Sequence, residues 1–173
     1  MWTNNMKKLI SAMFGVNNYQ TFKPILTDGI EYNSNYFTAF PFGNNTTTLA
    51  TAIIKNETIS ISNQASGKFG LLVGIGDTEP TVEDYALANQ VVLDTVSFQC
   101  TNSNGTLFPT VTHTMTNNSG GTLVITEIGL YIGIYSNTKP CLLGRKLLET
   151  PVTMENGQSY TFQYNIDLTN LQE

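Results

Sequence analysis

The chain has 173 residues, of which 12% are charged, with 13 Asp plus Glu against 8 Lys plus Arg for a net charge of −5. That length fits one domain and is enough to bury a sizeable core without staples. The thinly spread cations form no basic stripe, so nucleic acid is not an expected partner. Two cysteines and one histidine fall short of the four or so ligands of a zinc site, so no metal and no cofactor is expected.

Globular proteins usually carry roughly 25% charged residues, so this surface must be built mostly from Thr, Asn, Ser and Gln. Amides and hydroxyls are cheaper to desolvate than ions, which favours broad contacts with other protein subunits. Lys7-Lys8 followed by Leu9-Ile10-Ser11-Ala12-Met13-Phe14 has the look of a signal-peptide start. The apolar run is short and no small-x-small cleavage site follows, so it is not read as one. No apolar run approaches the length of a membrane span.

Residues 1–18 read as a short helix, with Trp2, Met6, Leu9, Ile10, Met13 and Phe14 near the spacing of one face. Such a helix either packs on its own domain or docks on a neighbouring subunit. Residues 19–50 are rich in turn residues and scattered aromatics, with a turn at Asp28-Gly29 and a loop at Pro41-Phe42-Gly43-Asn44-Asn45. The chain thus divides into an N-terminal helix and extended assembly arm, 1–50, and a β domain, 51–173.

Strands are expected at 51–54, 57–62, 69–75, 90–100, 106–116, 121–134, 141–149 and 158–168. Strands of these lengths between turn clusters argue an all-β, antiparallel sandwich of Greek-key or jelly-roll type. In the last strand Tyr160, Phe162, Tyr164, Ile166 and Leu168 alternate with polar residues, the period of one buried and one wet face. Glu155-Asn156-Gly157-Gln158 reads as a hairpin turn ahead of it, and Asn117-Asn118-Ser119-Gly120-Gly121 as the turn of a second hairpin.

Gly74-Ile75-Gly76 follows an apolar strand. A dinucleotide loop needs a third glycine and a helix, and a P-loop needs Gly-Lys-Ser/Thr; neither is present. The pair reads instead as a tight turn using positive φ. Thr81 to Asn89 reads as a short helix with Thr81 as N-cap and Glu83 and Asp84 in its first turn. Asp77, Glu79, Glu83 and Asp84 are acidic neighbours whose spacing matches no calcium loop. His113 alternates with Val111 and Met115, as a hydrogen-bonded core histidine would. No nucleophile elbow and no placeable carboxylate pair supports a catalytic residue. Cys100 and Cys141 read as buried free thiols.

Glu127 and Arg145 are the unusual charges. By strand parity Glu127 goes with Ile125 and Tyr131, and Arg145 with Leu143 and Leu147. A charge on an apolar face is costly unless paired, so the two are expected to pair across neighbouring strands, with the guanidinium fork holding the carboxylate by two hydrogen bonds. Replacing both by apolar residues is then expected to cost little.

Over residues 65–168 these features together resemble a pattern in virion structural proteins of tailed bacteriophages. A Gly-x-Gly turn (Gly74, Gly76), Pro80, an acidic segment with Asp84 and Leu87, a Glu-Ile-Gly-Leu-Tyr strand with Glu127, Gly129 and Leu130, and a Leu-Gly-Arg strand with Arg145 follow one another, then Pro151 and Gly157. The resemblance implies a non-enzymatic β-sandwich module in a virion, in a collar, tail, fibre or capsid-decoration position. Its implied partners are copies of itself and other virion proteins. The rival readings are a fibre module binding a host glycan or receptor, with residues 19–45 supplying aromatic and amide side chains, and a secreted adhesin-like domain.

Overall fold

The computed structural model describes residues 1–13, 25–31, 58–60, 70–101, 110–134 and 139–166. One helix, α1 (Asn4–Met13), precedes eight strands: β1 (Thr58–Ser60), β2 (Gly70–Gly74), β3 (Gln90–Val91), β4 (Asp94–Thr101), β5 (Thr110–Thr116), β6 (Leu123–Ile134), β7 (Lys139–Met154) and β8 (Ser159–Asn165). They form two antiparallel sheets, ordered β1-β4-β5-β8 and β3-β2-β6-β7. The chain is therefore an all-β sandwich. The expected strand 51–54 and Leu168 lie outside the described residues.

The main core lies between the sheets. Val111, Met115, Phe162 and Tyr164 come from the first; Leu71, Val73, Ile128, Leu130 and Leu143 come from the second. Alternation dictates this. On β5 every second residue is buried, and on β8 Phe162 and Tyr164 point inward while Thr161, Gln163 and Asn165 stay exposed. His113 sits in the core, 1% exposed, and ties the sheets together. Its Nδ1 lies 2.6 Å from the Leu71 carbonyl and its Nε2 lies 3.0 Å from the Thr95 hydroxyl. A carbonyl only accepts, so the neutral ring carries its hydrogen on Nδ1. Burial pulls its pKa below the ordinary histidine value, against the pull of the Leu71 carbonyl. Cys141 is a buried free thiol; burial pushes its pKa up.

Several sequence expectations change. The single strand 90–100 is two, with β3 in one sheet and β4 in the other. The turns at 117–121 and 155–158 do not close hairpins, because β5 and β6, and likewise β7 and β8, lie in different sheets. They are corners, joined by Asn117 N–H to Gln158 O at 2.9 Å and Gly157 N–H to Asn117 O at 2.6 Å. The fully buried Asn117 side chain fixes this junction by donating to Gly121 O and Met154 O, both at 2.8 Å. Strand β7 runs past the expected end at 149, through Pro151 to Met154. It is an edge strand, where a missing N–H is tolerated.

The N-terminal residues pack on their own domain. Trp2 pairs with Gly144 on the β7 edge, Arg145 N–H donates to Met1 O and Thr3 N–H to Leu143 O, each at 2.9 Å. Trp2 and Met6 join the main core. The expected turn at Asp28-Gly29 is present, with Gly29 at φ 79° and Gly29 N–H bonded to Leu26 O at 2.8 Å.

Candidate functional site

Strand β2 reads Gly-Leu-Leu-Val-Gly and is buried at all five positions, which requires cover on both faces of its sheet. The inner face meets the other sheet. The outer face is roofed by the connection from β2 to β3, residues 75–89. Beneath that roof Leu72, Tyr131 and Leu142 form a second apolar cluster with Leu87 from the roof itself. Leu87 N–H donates to the Tyr131 hydroxyl at 2.7 Å, and burial pushes the Tyr131 phenol far above its ordinary pKa.

Glu127 stands at the centre, 0% exposed. Its carboxylate accepts four hydrogen bonds. Gly76 N–H and Asn89 N–H reach Oε1 at 3.1 and 2.8 Å; Ala88 N–H and Arg145 Nε reach Oε2 at 3.2 and 2.7 Å. Three backbone donors from the two ends of one connection thus converge on one side chain. A buried N–H without a partner costs about 1–3 kcal/mol, so the carboxylate stands in for the sheet or helix partners this irregular backbone lacks.

Arg145 balances the charge, but not as the expected fork. Its Nε meets Glu127, its Nη1 meets Asp84 Oδ2 at 2.8 Å, and its Nη2 donates to Thr78 O and Oγ1 at 2.8 and 3.0 Å. The guanidinium is divided among three partners, and all three nitrogens are spent on the roof and its latch. Burial would raise the Asp84 pKa. The hydrogen bonds from Arg145 and from Thr81 outweigh it and hold that carboxyl below its ordinary value. Arg145 is shifted upward, since its two carboxylate partners overcome burial.

The expected helix over Thr81–Asn89 does not form; the segment is a series of turns. At one end Asp84 N–H reaches Thr81 O at 3.3 Å in a single turn, and the Asp84 carboxylate accepts Thr81 N–H at 3.1 Å and Thr81 Oγ1 at 2.9 Å as at a helix start, but the turn is not continued. At the other end Leu87, Ala88 and Asn89 give their N–H groups to Tyr131 and Glu127 instead of to a helix ladder. Asp77, Glu79 and Glu83 stay exposed.

The glycines serve space rather than φ. Gly74 and Gly76 are absent from the positive-φ glycines, which corrects the tight-turn reading. A Cβ on Gly76 would fall 2.5 Å from Glu127 Oε1 and 2.7 Å from the Ala88 Cβ. One on Gly74 would fall 2.6 Å from Asn89 O and collide with the Glu127 carboxylate. Gly129 admits Leu87, whose Cδ2 would lie 2.9 Å from a Cβ there.

All six residues singled out from the sequence, Gly74, Gly76, Asp84, Glu127, Gly129 and Arg145, therefore meet in this roofed layer. The parity of Glu127 with Tyr131 holds, both lying on the roofed face, but that with Ile125, and of Arg145 with Leu143, does not. Ile125 and Leu143 belong to the inner core, while Glu127 and Arg145 lie on the outer face. Two register shifts in the β6–β7 pairing reverse the parity. Ile125 pairs with Val152 but Glu127 with Leu147, and Leu130 pairs with Gly144 but Tyr131 with Leu142. The second shift leaves Leu143 as the extra residue of a bulge. Thr78 was missed as a partner of Arg145, and nothing in the local sequence marks it; Tyr131 was placed by parity with Glu127, but its bond to Leu87 N–H was not foreseen. Among the described residues no group of three or more His, Cys, Asp or Glu side chains gathers as metal ligands, and no helix is long and apolar enough to cross a membrane.

The chain matches no protein-family model, no curated protein and no solved structure. The resemblance to tailed-phage virion proteins rests on the residues of this chain alone.

Proposed function

We propose that this chain is a non-enzymatic structural component of a tailed-bacteriophage virion, working by protein–protein contacts with copies of itself and with other virion proteins. One observation carries the reading. Seven of the positions that bear the resemblance, Gly74, Gly76, Asp84, Leu87, Glu127, Gly129 and Arg145, form one interlocked unit in which a buried carboxylate pins a connection onto a sheet. Motif positions that owe their likeness to chance have no reason to meet. Their meeting supports a shared module, and the module's chemistry is structural: the donors of Arg145 and the acceptors of Glu127 are turned onto the protein's own backbone and side chains. A surface low in charge and rich in hydroxyls and amides supports a life in contact with other subunits.

The test is mass spectrometry of density-purified particles from the source phage or lysogen, with gold-labelled antibody to place the protein on them. Stoichiometric recovery in particles, with label at the collar, tail, fibre or capsid surface, is the expected result. Recovery only in the particle-free supernatant overturns the reading. A glycan-array signal from the purified protein would move the assignment to a receptor-binding module.

A further inference from the structure

The corners that carry β5 into β6 and β7 into β8 hold a reactive pair. The chain has two Asn-Gly dipeptides, Asn104-Gly105 and Asn156-Gly157, and the second lies among the described residues. Asparagine is thermally labile. When glycine follows it, no Cβ hinders the next backbone nitrogen from closing on the side-chain amide. Asn156 and Gly157 are both exposed, and nothing lies within 4 Å of where a Gly157 Cβ would stand. Neither burial nor crowding therefore protects the pair. Two hydrogen bonds engage it instead. Gly157 N–H donates to Asn117 O at 2.6 Å, and Asn156 Oδ1 accepts Gly120 N–H at 2.8 Å.

The two bonds act in opposite senses. Deamidation begins when Gly157 N, having given up its hydrogen to solvent base, attacks Asn156 Cγ. A five-membered succinimide forms and Nδ2 leaves as ammonia; water then opens the ring to aspartate or isoaspartate at position 156. A donor on Oδ1 helps the attack, because that oxygen gains negative charge as the new bond forms. The bond from Gly157 N–H to Asn117 O opposes it, because the hydrogen must be freed before the nitrogen can react. That release is a precondition, whereas the donor only modulates the rate, so the restraint prevails. It is well secured: the fully buried Asn117 side chain donates to Gly121 O and Met154 O, both at 2.8 Å. We propose that Asn156 is a deamidation site that the fold keeps closed, reacting only from states in which Gly157 N–H has left Asn117 O. The two products then differ. Aspartate keeps an acceptor for Gly120 N–H. Isoaspartate adds one main-chain atom ahead of Gly157 N, which shifts that N–H off Asn117 O and unlatches the corner. None of this depends on the virion assignment.

The experiment follows deamidation at mildly alkaline pH by peptide mapping with mass spectrometry, which separates position 156 from position 104. It compares the folded full-length protein, the same protein in urea and a synthetic peptide of residues 151–162. Hydrogen exchange read by NMR measures in parallel how often Gly157 N–H opens. The folded chain is expected to deamidate at position 156 more slowly than the peptide by more than about tenfold, and by the factor that protects Gly157 N–H from exchange. Urea should restore the peptide rate. A folded rate equal to that of the peptide overturns the proposal. So does slow deamidation with an unprotected Gly157 N–H, which puts the restraint elsewhere. Asn117→Ser removes both side-chain donations that secure the corner, and it should speed exchange and deamidation by one common factor. Faster exchange with unchanged deamidation overturns the proposal, and the wild-type comparison decides by itself if that variant does not fold. In aged protein the isoaspartate form should melt below the aspartate form; equal melting overturns the unlatching.

Discussion

The outer faces of the two sheets have the same pleat and opposite fates. On the β1-β4-β5-β8 sheet the face is a wet ladder of small polar side chains. Thr114 meets Thr161 at 2.8 Å, Thr116 meets Ser159 at 2.7 Å, and Thr110 donates to Asn165 at 3.1 Å, all exposed. On the β3-β2-β6-β7 sheet the face is dry, with Leu72, Tyr131 and Leu142 under Leu87 and Glu127 sealed beside them. The difference lies in one connection. Residues 75–89 fold back over the second sheet, and irregular backbone can be buried only where its polar groups find partners. The Glu127–Arg145–Asp84 network supplies them. Here a buried ion network holds down a loop whose own residues, apart from Gly76 and Leu87, stay at least partly exposed.

The sharpest way to break the contrast is Glu127→Gln. The new amide would present N–H donors to Ala88 N–H and Arg145 Nε and leave a guanidinium short of a carboxylate. We expect a loss of about 3–5 kcal/mol of stability, read from urea midpoints. A variant within about 0.5 kcal/mol of wild type would show that the roof does not need its latch. The pair also differs from an isolated one. Replacing Glu127 and Arg145 together by apolar residues, expected from the sequence to cost little, would leave Gly76, Ala88 and Asn89 N–H without acceptors, so that double variant is expected to stay strongly destabilised.

Gly76→Ala comes next, at about 1–3 kcal/mol, because its Cβ meets Glu127 and Ala88 and the roof must lift to admit it. Thermal melts of this variant with binding of a hydrophobic dye would report lifting as well as loss.

Asp84→Asn should cost less, about 1 kcal/mol near neutral pH, since Asp84 is one of several partners of Arg145 and is partly exposed. Its pH dependence carries a definite sign. The folded pKa lies below the ordinary one, so the stabilisation is present above about pH 3.9 and is lost as pH falls through the folded value. The gap between Asp84→Asn and wild type should therefore narrow in acid. His113 acts in a separate window. Its folded pKa is also depressed, so its contribution is complete above about pH 6.5 and declines as pH falls below that, where the unfolded chain takes up the proton first. Urea titrations at closely spaced pH values separate the two.

The smallest effect belongs to the wet face. Thr114→Val removes the exposed hydroxyl contact with Thr161 and should change stability by less than about 0.5 kcal/mol. A loss comparable to that of Gly76→Ala would mean the two faces are not energetically different after all.

Much of this was legible in the residues. Alternation on β5 and β8 announced one buried and one wet face, and the burial of Val111, His113, Met115, Phe162 and Tyr164 follows it, whereas Tyr160, expected on the same buried face, is 41% exposed at the start of β8. The all-β class and the turns at 28–29, 117–121 and 155–158 were readable because turn chemistry is local. The rule that a charge in an apolar setting needs a partner was enough to join Glu127 to Arg145. The tertiary structure alone decided the rest. Which sheet each strand enters is set by long-range pairing, so two apparent hairpins became corners. Bulges that no local pattern marks put Ile125 and Leu143 on the face opposite Glu127 and Arg145. Whether 81–89 coils into a helix was settled by distant side chains, Tyr131 and Glu127, that compete for the N–H groups of Leu87, Ala88 and Asn89. Propensity acts within a few residues, whereas partners for buried backbone are supplied from across the sheet, and there the longer range prevails.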